Sequence, residues 1–151
     1  MSQPQEKLST PNRVIHKPDP LCVVGYTGWT TVPGKGHAVI AMKDIKAGTV
    51  IERCPVLIMP WRDLKTRDGH EPVIESYIYL WGPEDENEEN ADVVMAKAGH
   101  LVMYNHSEDP NITLRDDLEN KVMEITALRD ILEGEELTCN YSCELWFDYE
   151  P

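Results

Sequence analysis

The sequence predicts a mostly β fold that is built from many short strands and few helices. Apolar segments of strand length, such as residues 38–42 and 122–126, are separated by turns that contain glycine or proline. The segment 41–52 also returns in altered form at 127–138, with four identical positions and three close substitutions. Two copies are too few for a solenoid. The repeat instead indicates one local unit, a strand, a glycine turn and a strand, that the chain builds twice.

The elements can be assigned in order from the amino terminus. Residues 1–20 contain four prolines among mostly polar side chains, which predicts an extended lead-in. A short strand is expected at 21–24. Further strands are expected at 38–42 and 49–52, with a glycine turn between them, and 56–59 is a candidate for the next strand. The 151 residues are about the length of a single domain.

The middle of the chain is less regular. Residues 73–81 mix aromatic and aliphatic side chains, and this pattern fits either a helix or a strand. Residues 84–89 contain five acids in six positions. Such a run is typical of a solvated loop, and a role in steering a cationic substrate is the alternative. Regular alternation returns at 122–126, which predicts another strand.

The charge balance limits the classes of partner. The chain has 27 acidic and 14 basic residues, a formal net charge of −13 and a pI near 4.7. Direct binding to nucleic acid or to an anionic membrane is therefore not expected, because both require a basic surface. A cationic partner is favoured, although an acidic surface that serves solubility alone remains an equal alternative.

The cysteines and the apolar segments indicate the compartment. The four cysteines, Cys22, Cys54, Cys139 and Cys143, form no C-x-x-C pair, so no structural metal site is expected. The amino-terminal residues have no apolar core of a secretory signal, and no run approaches the roughly 20 apolar residues of a membrane span. We therefore expect an intracellular protein with reduced thiols.

Three polar segments could carry chemistry. The glycine-rich loop 33–37 lies between apolar strands, where it is either a tight hairpin or a loop whose backbone approaches a ligand. Residues 104–111 hold amide, imidazole and carboxylate groups, which either stabilise a local turn or bind a polar ligand. Tyr141 follows a predicted strand and by itself is more typical of half-buried packing. From these residues alone, the chain is a small acidic β domain with two polar loops.

Taken together, the three segments resemble the motifs of the SET domain, the fold of S-adenosyl-L-methionine-dependent protein-lysine methyltransferases. The first reads G-K-G-H-A-V-I-A-M-K-D-I-K-A-G-T-V-I, the central one Y-N-H-S-E-D-P-N and the last I-T-A-L-R-D-I-L-E-G-E-E-L-T-C-N-Y. The layout looks most like the small stand-alone members of viruses and bacteria. The resemblance implies a β-clip of short curled sheets over 21–151, a knot-like carboxy-terminal crossing, and a short helical insert at about 61–98.

The resemblance also implies the site residues. Those expected to bind the cofactor are Lys35, Gly36, His37, Tyr104, Asn105, His106 and Trp146. Tyr141 matches the final tyrosine of the family, whose hydroxyl lies at the transfer point. Tyr77 is a second candidate for the lysine channel, with ordinary core packing as its alternative. No metal is expected.

The implied activity is methyl transfer to a lysine amine of a protein, with a basic histone-like tail as the expected substrate. The alternatives are a SET-like domain without activity and a β-clip module, either of which would bind a basic segment. The zinc-binding cysteine cluster that often follows the domain is absent, so a lid would come from 145–149 or from a second subunit in a homodimer.

Overall fold

The computed structural model describes residues 26–64, 73–83, 91–143 and 145, and within them the protein is mostly β. The strands are β1 (Thr27–Val32), β2 (Gly36–Ala41), β3 (Val50–Pro60), β4 (Tyr79–Trp81), β5 (Asp92–Ala96), β6 (Asn105–His106), β7 (Ile112–Asp117), β8 (Val122–Ala127) and β9 (Thr138–Cys139). The expected fold class of short sheets is confirmed. Residues 1–25, which include the predicted lead-in and the strand at 21–24, lie outside the described residues, as does the acidic run at 84–89.

Three sheets make up the architecture. β1 and β2 form an antiparallel hairpin, and the central antiparallel sheet has the order β4-β5-β3-β8-β7. The third sheet is the short parallel pair of β6 and β9. The strands predicted at 49–52 and 56–59 are parts of one long strand, β3, which pairs with β8 in its first half and with β5 in its second. Because its pairing changes from β8 to β5, β3 continues through residues 53–55, where the sequence predicted a break between two strands.

The insert at 61–98 contributes strands as well as helical turns. One-turn 3-10 helices occupy Trp61–Leu64 and Val73–Tyr77, and β4 and β5 then extend the central sheet. The segment 73–81, for which helix and strand were both open, is therefore helical first and extended afterwards. Pairing with β5 satisfies the backbone hydrogen bonds of β4, which explains why the second part of the segment 73–81 is extended.

The repeated segments, named here the first copy (41–52) and the second copy (127–138), contact each other directly. Ile45 and Ile131 form an antiparallel bridge between the two turns. Both isoleucines are fully buried. The two turns therefore join through their backbones at the centre of the core.

The last strand, β9, passes close to the central motif. β9 lies parallel to β6, with Asn105 opposite Thr138 and His106 opposite Cys139. The N–H of Asn111 also donates to Thr138 O at 3.1 Å. Both ends of the segment 105–111 therefore hold β9, an arrangement consistent with the expected crossing, and they direct the following residues toward the candidate site.

Candidate active site

Asn105 joins the three polar motifs through its side-chain amide. Its Nδ2 donates to His37 O at 2.9 Å and to Glu136 Oε1 at 2.8 Å. One residue of the central motif thus holds the first motif against the last. The segments that the sequence places far apart are brought together at this amide, as the resemblance requires.

Asn111 fixes the strand that leads to the final tyrosine. Its side chain is 1% exposed, and its Nδ2 donates to Glu136 O at 2.7 Å and to Glu135 Oε1 at 3.3 Å. Its Oδ1 accepts the N–H of Thr138 at 2.8 Å. The guanidinium of Arg129 holds the pKa of Glu135 below its usual value, so this carboxylate remains ionised beside the amide.

His106 connects the central motif to Tyr141. The backbone N–H of Tyr141 donates to His106 Nδ1 at 3.2 Å. Because Nδ1 accepts, the ring hydrogen lies on Nε2, which is 3.1 Å from Glu108 Oε1. The imidazole also contacts the Tyr141 ring edge-on, with 5.3 Å between the centroids. The ring position of Tyr141 is therefore determined by backbone and side chain together.

The backbone of the central motif orients the Tyr141 hydroxyl. It donates to Tyr104 O at 2.9 Å. Burial raises the pKa of Tyr141 to about 12, so the phenol stays protonated at neutral pH. Since its hydrogen is engaged, the oxygen presents lone pairs to whatever lies beside it. Tyr141 is thus suited to orient a partner as a hydrogen-bond acceptor and unsuited to act as an anionic base at neutral pH.

The buried side chain of Glu52 holds Tyr104, whose carbonyl accepts the Tyr141 hydroxyl. Tyr104 is 1% exposed, and its hydroxyl donates to Glu52 Oε2 at 2.9 Å. Glu52 Oε1 accepts the N–H of His100 at 2.8 Å. Burial, followed by the charge of Glu52, raises the pKa of Tyr104 far above its usual value. The phenol of Tyr104 therefore belongs to the core and is engaged by Glu52.

Glycine is required beside Glu52. Gly99 has a φ of +90°, and a Cβ built on it would lie 1.9 Å from Glu52 Oε1. A side chain at this position would have to displace the Glu52 carboxylate and the Cys54 thiol. The close approach of this loop is what allows the next residue to donate its N–H to the buried carboxylate.

A cleft of about 580 Å³ opens beside Tyr141. Its walls come from both edges of the central sheet, with Tyr79 and Leu80 from β4 and Ile112 and Leu114 from β7. The remaining described lining residues are Trp61, Ser76, Ile78, Val102, Pro110, Thr113, Asp116, Met123, Leu128, Cys139, Asn140, Ser142 and Cys143. The cleft is therefore mostly apolar, with the final motif along one side.

The two tyrosines near this cleft differ in placement. Tyr79 lines it, and its hydroxyl donates to Leu101 O at 2.8 Å. Burial raises the pKa of Tyr79 far above its usual value. Tyr77 is 49% exposed and is not among the residues that line the cleft. The structure therefore brings Tyr79, and not Tyr77, together with Tyr141.

The first motif forms an open hairpin tip. Lys35, Gly36 and His37 are exposed, and the His37 ring contacts Trp29 edge-on. Gly36 has a φ of +83°, and nothing lies within 4 Å of the position that a Cβ would occupy. Exposed main-chain groups without a covering side chain fit a zwitterionic amino-acid group such as that of S-adenosyl-L-methionine. Trp146, the predicted adenine contact, lies outside the described residues.

Glu52 and Tyr79 are functional candidates that the sequence did not identify. Both Ile51 and Glu52 are buried, although neighbours on a regular strand face opposite sides. A register shift between Val50 and Glu52 accounts for this. The alternation of the sequence contains no signal for such a bulge. Tyr79 could have been selected only by knowing which part of 73–81 is extended.

Two further properties concern the whole of the described chain. Within residues 26–64, 73–83, 91–143 and 145, no group of three or more His, Cys, Asp or Glu side chains is placed to hold a metal ion. None of the helices in that part of the structure combines the length and the apolar character needed to cross a membrane.

The fold and the joined motifs define a SET domain, and comparison with known proteins supports this class. The SET-domain family matches residues 36–142. The chain belongs to the SET-domain family, and the assignment as a SET-domain lysine methyltransferase is confirmed.

One relative is the histone-lysine N-methyltransferase of Schizosaccharomyces pombe that is specific for H3 lysine-37. It is 31% identical over 116 residues, which cover 77% of this chain and 73% of the relative.

Solved structures share the fold at lower identity. A Plasmodium falciparum protein, described as a candidate histone methyltransferase, has a TM-score of 0.56 and 21% identity over 81% of this chain and 97% of its own. CpSET8 from Cryptosporidium has a TM-score of 0.59 and 22% identity over 79% of this chain and 58% of its own. At these identities the likeness concerns the fold alone.

Proposed function

We propose that this chain transfers a methyl group from S-adenosyl-L-methionine to a lysine amine in a basic, histone-like protein segment. The observation that carries the proposal is the placement of Tyr141 beside an apolar cleft, with its ring held by His106 and its hydroxyl by Tyr104 O. The activity of the Schizosaccharomyces pombe relative supports a histone as the class of substrate.

The cofactor would bind at the junction of the three motifs. Lys35, Gly36 and His37 would hold its amino-acid end through the open main chain, and the segment that begins at Asn105 and His106 would complete the site. Bound there, S-adenosyl-L-methionine supplies an electrophilic methyl group on a sulfonium. The work of Asn105 is to keep the first motif in place, since its amide already joins His37 to Glu136.

The apolar cleft would prepare the lysine. A lysine amine has a pKa of about 10.4 in water and arrives mostly protonated at neutral pH. Transfer into a dry channel disfavours the ammonium and lowers that pKa. Tyr141, as an oriented acceptor, would then direct the amine, and the main contribution of the protein is the relative placement of the reactants.

The sheet edges favour an extended peptide as the partner. β4 and β7 are the two edges of the central sheet, and both contribute to the walls of the cleft. An edge strand offers backbone donors and acceptors to an added strand. A peptide that lies in the cleft could therefore pair with an edge while its lysine reaches Tyr141.

A protein substrate of this kind favours an intracellular location, in the cytoplasm or in the nucleus of a eukaryotic cell. We infer no direct role for nucleic acid or membrane, because the net charge of −13 opposes both. A lid over the cofactor from 145–149 or from a second copy in a homodimer remains part of the proposal, and sedimentation of the full chain with and without cofactor tests the second source.

The test is methyl transfer from labelled S-adenosyl-L-methionine to an array of lysine-containing peptides. We expect Tyr141→Phe to lower kcat by about 10- to 100-fold, because an oriented acceptor is lost, while calorimetry detects nearly unchanged cofactor affinity. Full activity of that variant would remove Tyr141 from the mechanism. Cofactor binding without transfer to any lysine peptide or histone would instead support a binding module.

The same assay assigns the channel tyrosine. Tyr79→Phe breaks the hydrogen bond to Leu101 O and alters a wall of the cleft, whereas Tyr77→Phe changes an exposed side chain. The geometry predicts the larger loss of activity for Tyr79→Phe. The opposite order would support the role in the channel that the sequence predicts for Tyr77.

A further inference from the structure

The β7 wall of the cleft changes from apolar to acidic along the strand. Alternate side chains of a strand share one face, and Ile112, Leu114 and Asp116 line the cleft in that order, with Thr113 also among the lining residues. The start of β7 contacts β9, two residues before Tyr141, so Ile112 marks the catalytic end. At a rise of about 3.3 Å per residue, Asp116 lies roughly 13 Å along the strand from that end.

Asp116 is exceptional among the residues of this cleft. Of the described residues that line it, Asp116 alone has a side chain that is charged at neutral pH. No basic side chain in the described part of the chain forms an ion pair with it. Its Oδ2 accepts the N–H of Gly82 at 2.8 Å, which fixes the carboxylate across the gap between β7 and the end of β4.

A half-buried carboxylate at this place suits a cation. The described residues donate one N–H to this carboxylate, whereas an ionised carboxylate can accept about four hydrogen bonds. A lysine or arginine head group would add charge-assisted hydrogen bonds, and the neighbouring Leu114 offers apolar surface to the aliphatic stem. Substrate bound along β7 would place such a residue at a fixed distance from the methylated lysine.

We propose that Asp116 is a specificity-determining residue that binds a basic side chain about four residues along the substrate from the methylated lysine. The inference rests on the proposed function, because it assumes that the lysine enters beside Tyr141. It adds the spacing of a second recognised residue, on one side of the lysine, to the substrate class.

The spacing is tested with extended peptides of otherwise uncharged residues that carry one lysine and one arginine at every separation from one to six residues, on either side. Peptide binding is measured by fluorescence anisotropy in the presence of S-adenosyl-homocysteine, and methyl transfer is measured on the same peptides. We expect affinity to be highest at a separation of three to five residues on one side, by about tenfold over the peptide without arginine.

Two variants test whether Asp116 causes the preference for one lysine–arginine separation. Asp116→Asn keeps an oxygen that can accept from Gly82 and removes only the charge, so the preferred separation should disappear. Glu119→Gln is the matched control, since it removes one exposed acidic charge outside the cleft and should keep the preference. Circular dichroism establishes that both variants are folded.

The outcomes separate the two proposals. Equal binding at all separations by the unmodified protein, or a preference that survives Asp116→Asn, overturns the role of Asp116. A charge-dependent preference in binding without methyl transfer to any peptide supports Asp116 and overturns the proposed enzymatic function. Loss of the preference in Glu119→Gln as well would assign it to overall charge and contradict the inference.

Discussion

The first and second copies have the same backbone contacts but different side-chain roles. Ile45 and Ile131 exchange N–H···O bonds of 2.8 and 2.9 Å. Gly48 and Gly134 each donate, at 2.8 Å, to the carbonyl of the alanine that opens the other copy. These reciprocal bonds relate the copies by an approximate two-fold axis. The shared contacts therefore form a structural unit that does not depend on the catalytic site.

The copies differ where they approach that site. Glu136 accepts from Asn105 and, through its carbonyl, from Asn111, whereas the matching position of the first copy is the apolar Val50. The first copy instead ends in Glu52, which holds Tyr104 in the core. Symmetric positions thus build the core, whereas asymmetric ones contact Asn105 and Tyr104, which belong to the candidate site.

The largest expected effect is at the asymmetric end of the first copy. Glu52→Ala leaves the buried Tyr104 hydroxyl and the half-buried His100 N–H without this acceptor. We expect a loss of about 3 kcal/mol or more in the free energy of unfolding, measured in denaturant. Thr138→Ala, at the matching position of the second copy, should cost below about 1 kcal/mol because its N–H still donates to Asn111.

Glu52→Gln separates support of the site from stability. It keeps one oxygen acceptor, so it should recover part of the stability. A reduced kcat at unchanged KM would then identify Glu52 as a positioning residue that acts on Tyr141 through Tyr104. Equal losses of stability for Glu52→Ala and Thr138→Ala would contradict the asymmetry.

The next effect distinguishes cofactor affinity from stability. Glu136→Ala removes an acceptor of Asn105, so the first motif loses a tie to the last. We expect a weaker S-adenosyl-L-methionine Kd, by about tenfold, with a small change in Tm. Val50→Ala, its matched variant, should lower Tm through lost packing and leave Kd unchanged. Calorimetry measures Kd and thermal melts measure Tm for both variants. Parallel changes in Kd and Tm would contradict the separation of cofactor affinity from stability.

Sequence reasoning predicted the parts of the molecule that depend on local patterns. The alternation in 122–126 identified β8, and the repeat identified the two glycine turns. It could not predict that the copies pair with each other, because contacts between residues some 86 positions apart leave no local pattern. The motif order led to the family, whereas the role of Asn105 as a tie depends on tertiary contacts.

Local sequence patterns also could not predict the placement of two single residues in the candidate site. Tyr77 and Tyr79 have similar neighbours in the sequence, and only the change from helical turn to strand between them determines which one enters the cleft. The sequence around Glu52 is that of an ordinary polar strand position, and only the bulge between Val50 and Glu52 turns its side chain inward. Both distinctions come from pairing with distant strands, which local propensity does not encode.

The two-fold relation itself predicts equal effects at the turns. Gly48 and Gly134 have φ values of +79° and +83°, and a Cβ at either position would meet nothing within 4 Å. Alanine there costs only backbone strain, which is about 1–2 kcal/mol for the left-handed region. Gly48→Ala and Gly134→Ala should therefore lower the free energy of unfolding equally. A difference beyond about 0.5 kcal/mol, the usual scatter of independent sites, would show that the turns are not equivalent.

The smallest expected effect concerns the aspartates that hold the turns reciprocally. Asp44 Oδ1 accepts the N–H of Glu133 at 3.0 Å, and Asp130 Oδ1 accepts the N–H of Ala47 at 2.9 Å. Among the described residues, Asp130 alone of the two forms an ion pair, with Lys46 Nζ 2.6 Å from Oδ2. Asp44→Ala and Asp130→Ala should each lower Tm by a few degrees, with a slightly larger loss for Asp130→Ala that fades in high salt because the ion pair is exposed.

The extra loss of Tm expected for Asp130→Ala should depend on pH, because Asp130 must be ionised to pair with Lys46. The hydrogen bond from Lys46, and then that from Ala47, lowers the pKa of Asp130 from its ordinary 3.8. A group with a lowered folded pKa stabilises the protein above its ordinary value, and this contribution disappears as the pH falls through the lowered one. The Tm gap between the unmodified protein and Asp130→Ala should therefore be full at neutral pH and close below pH 3.8. A gap that persists in acid would assign the effect to the turn backbone and restore the equivalence of the two copies.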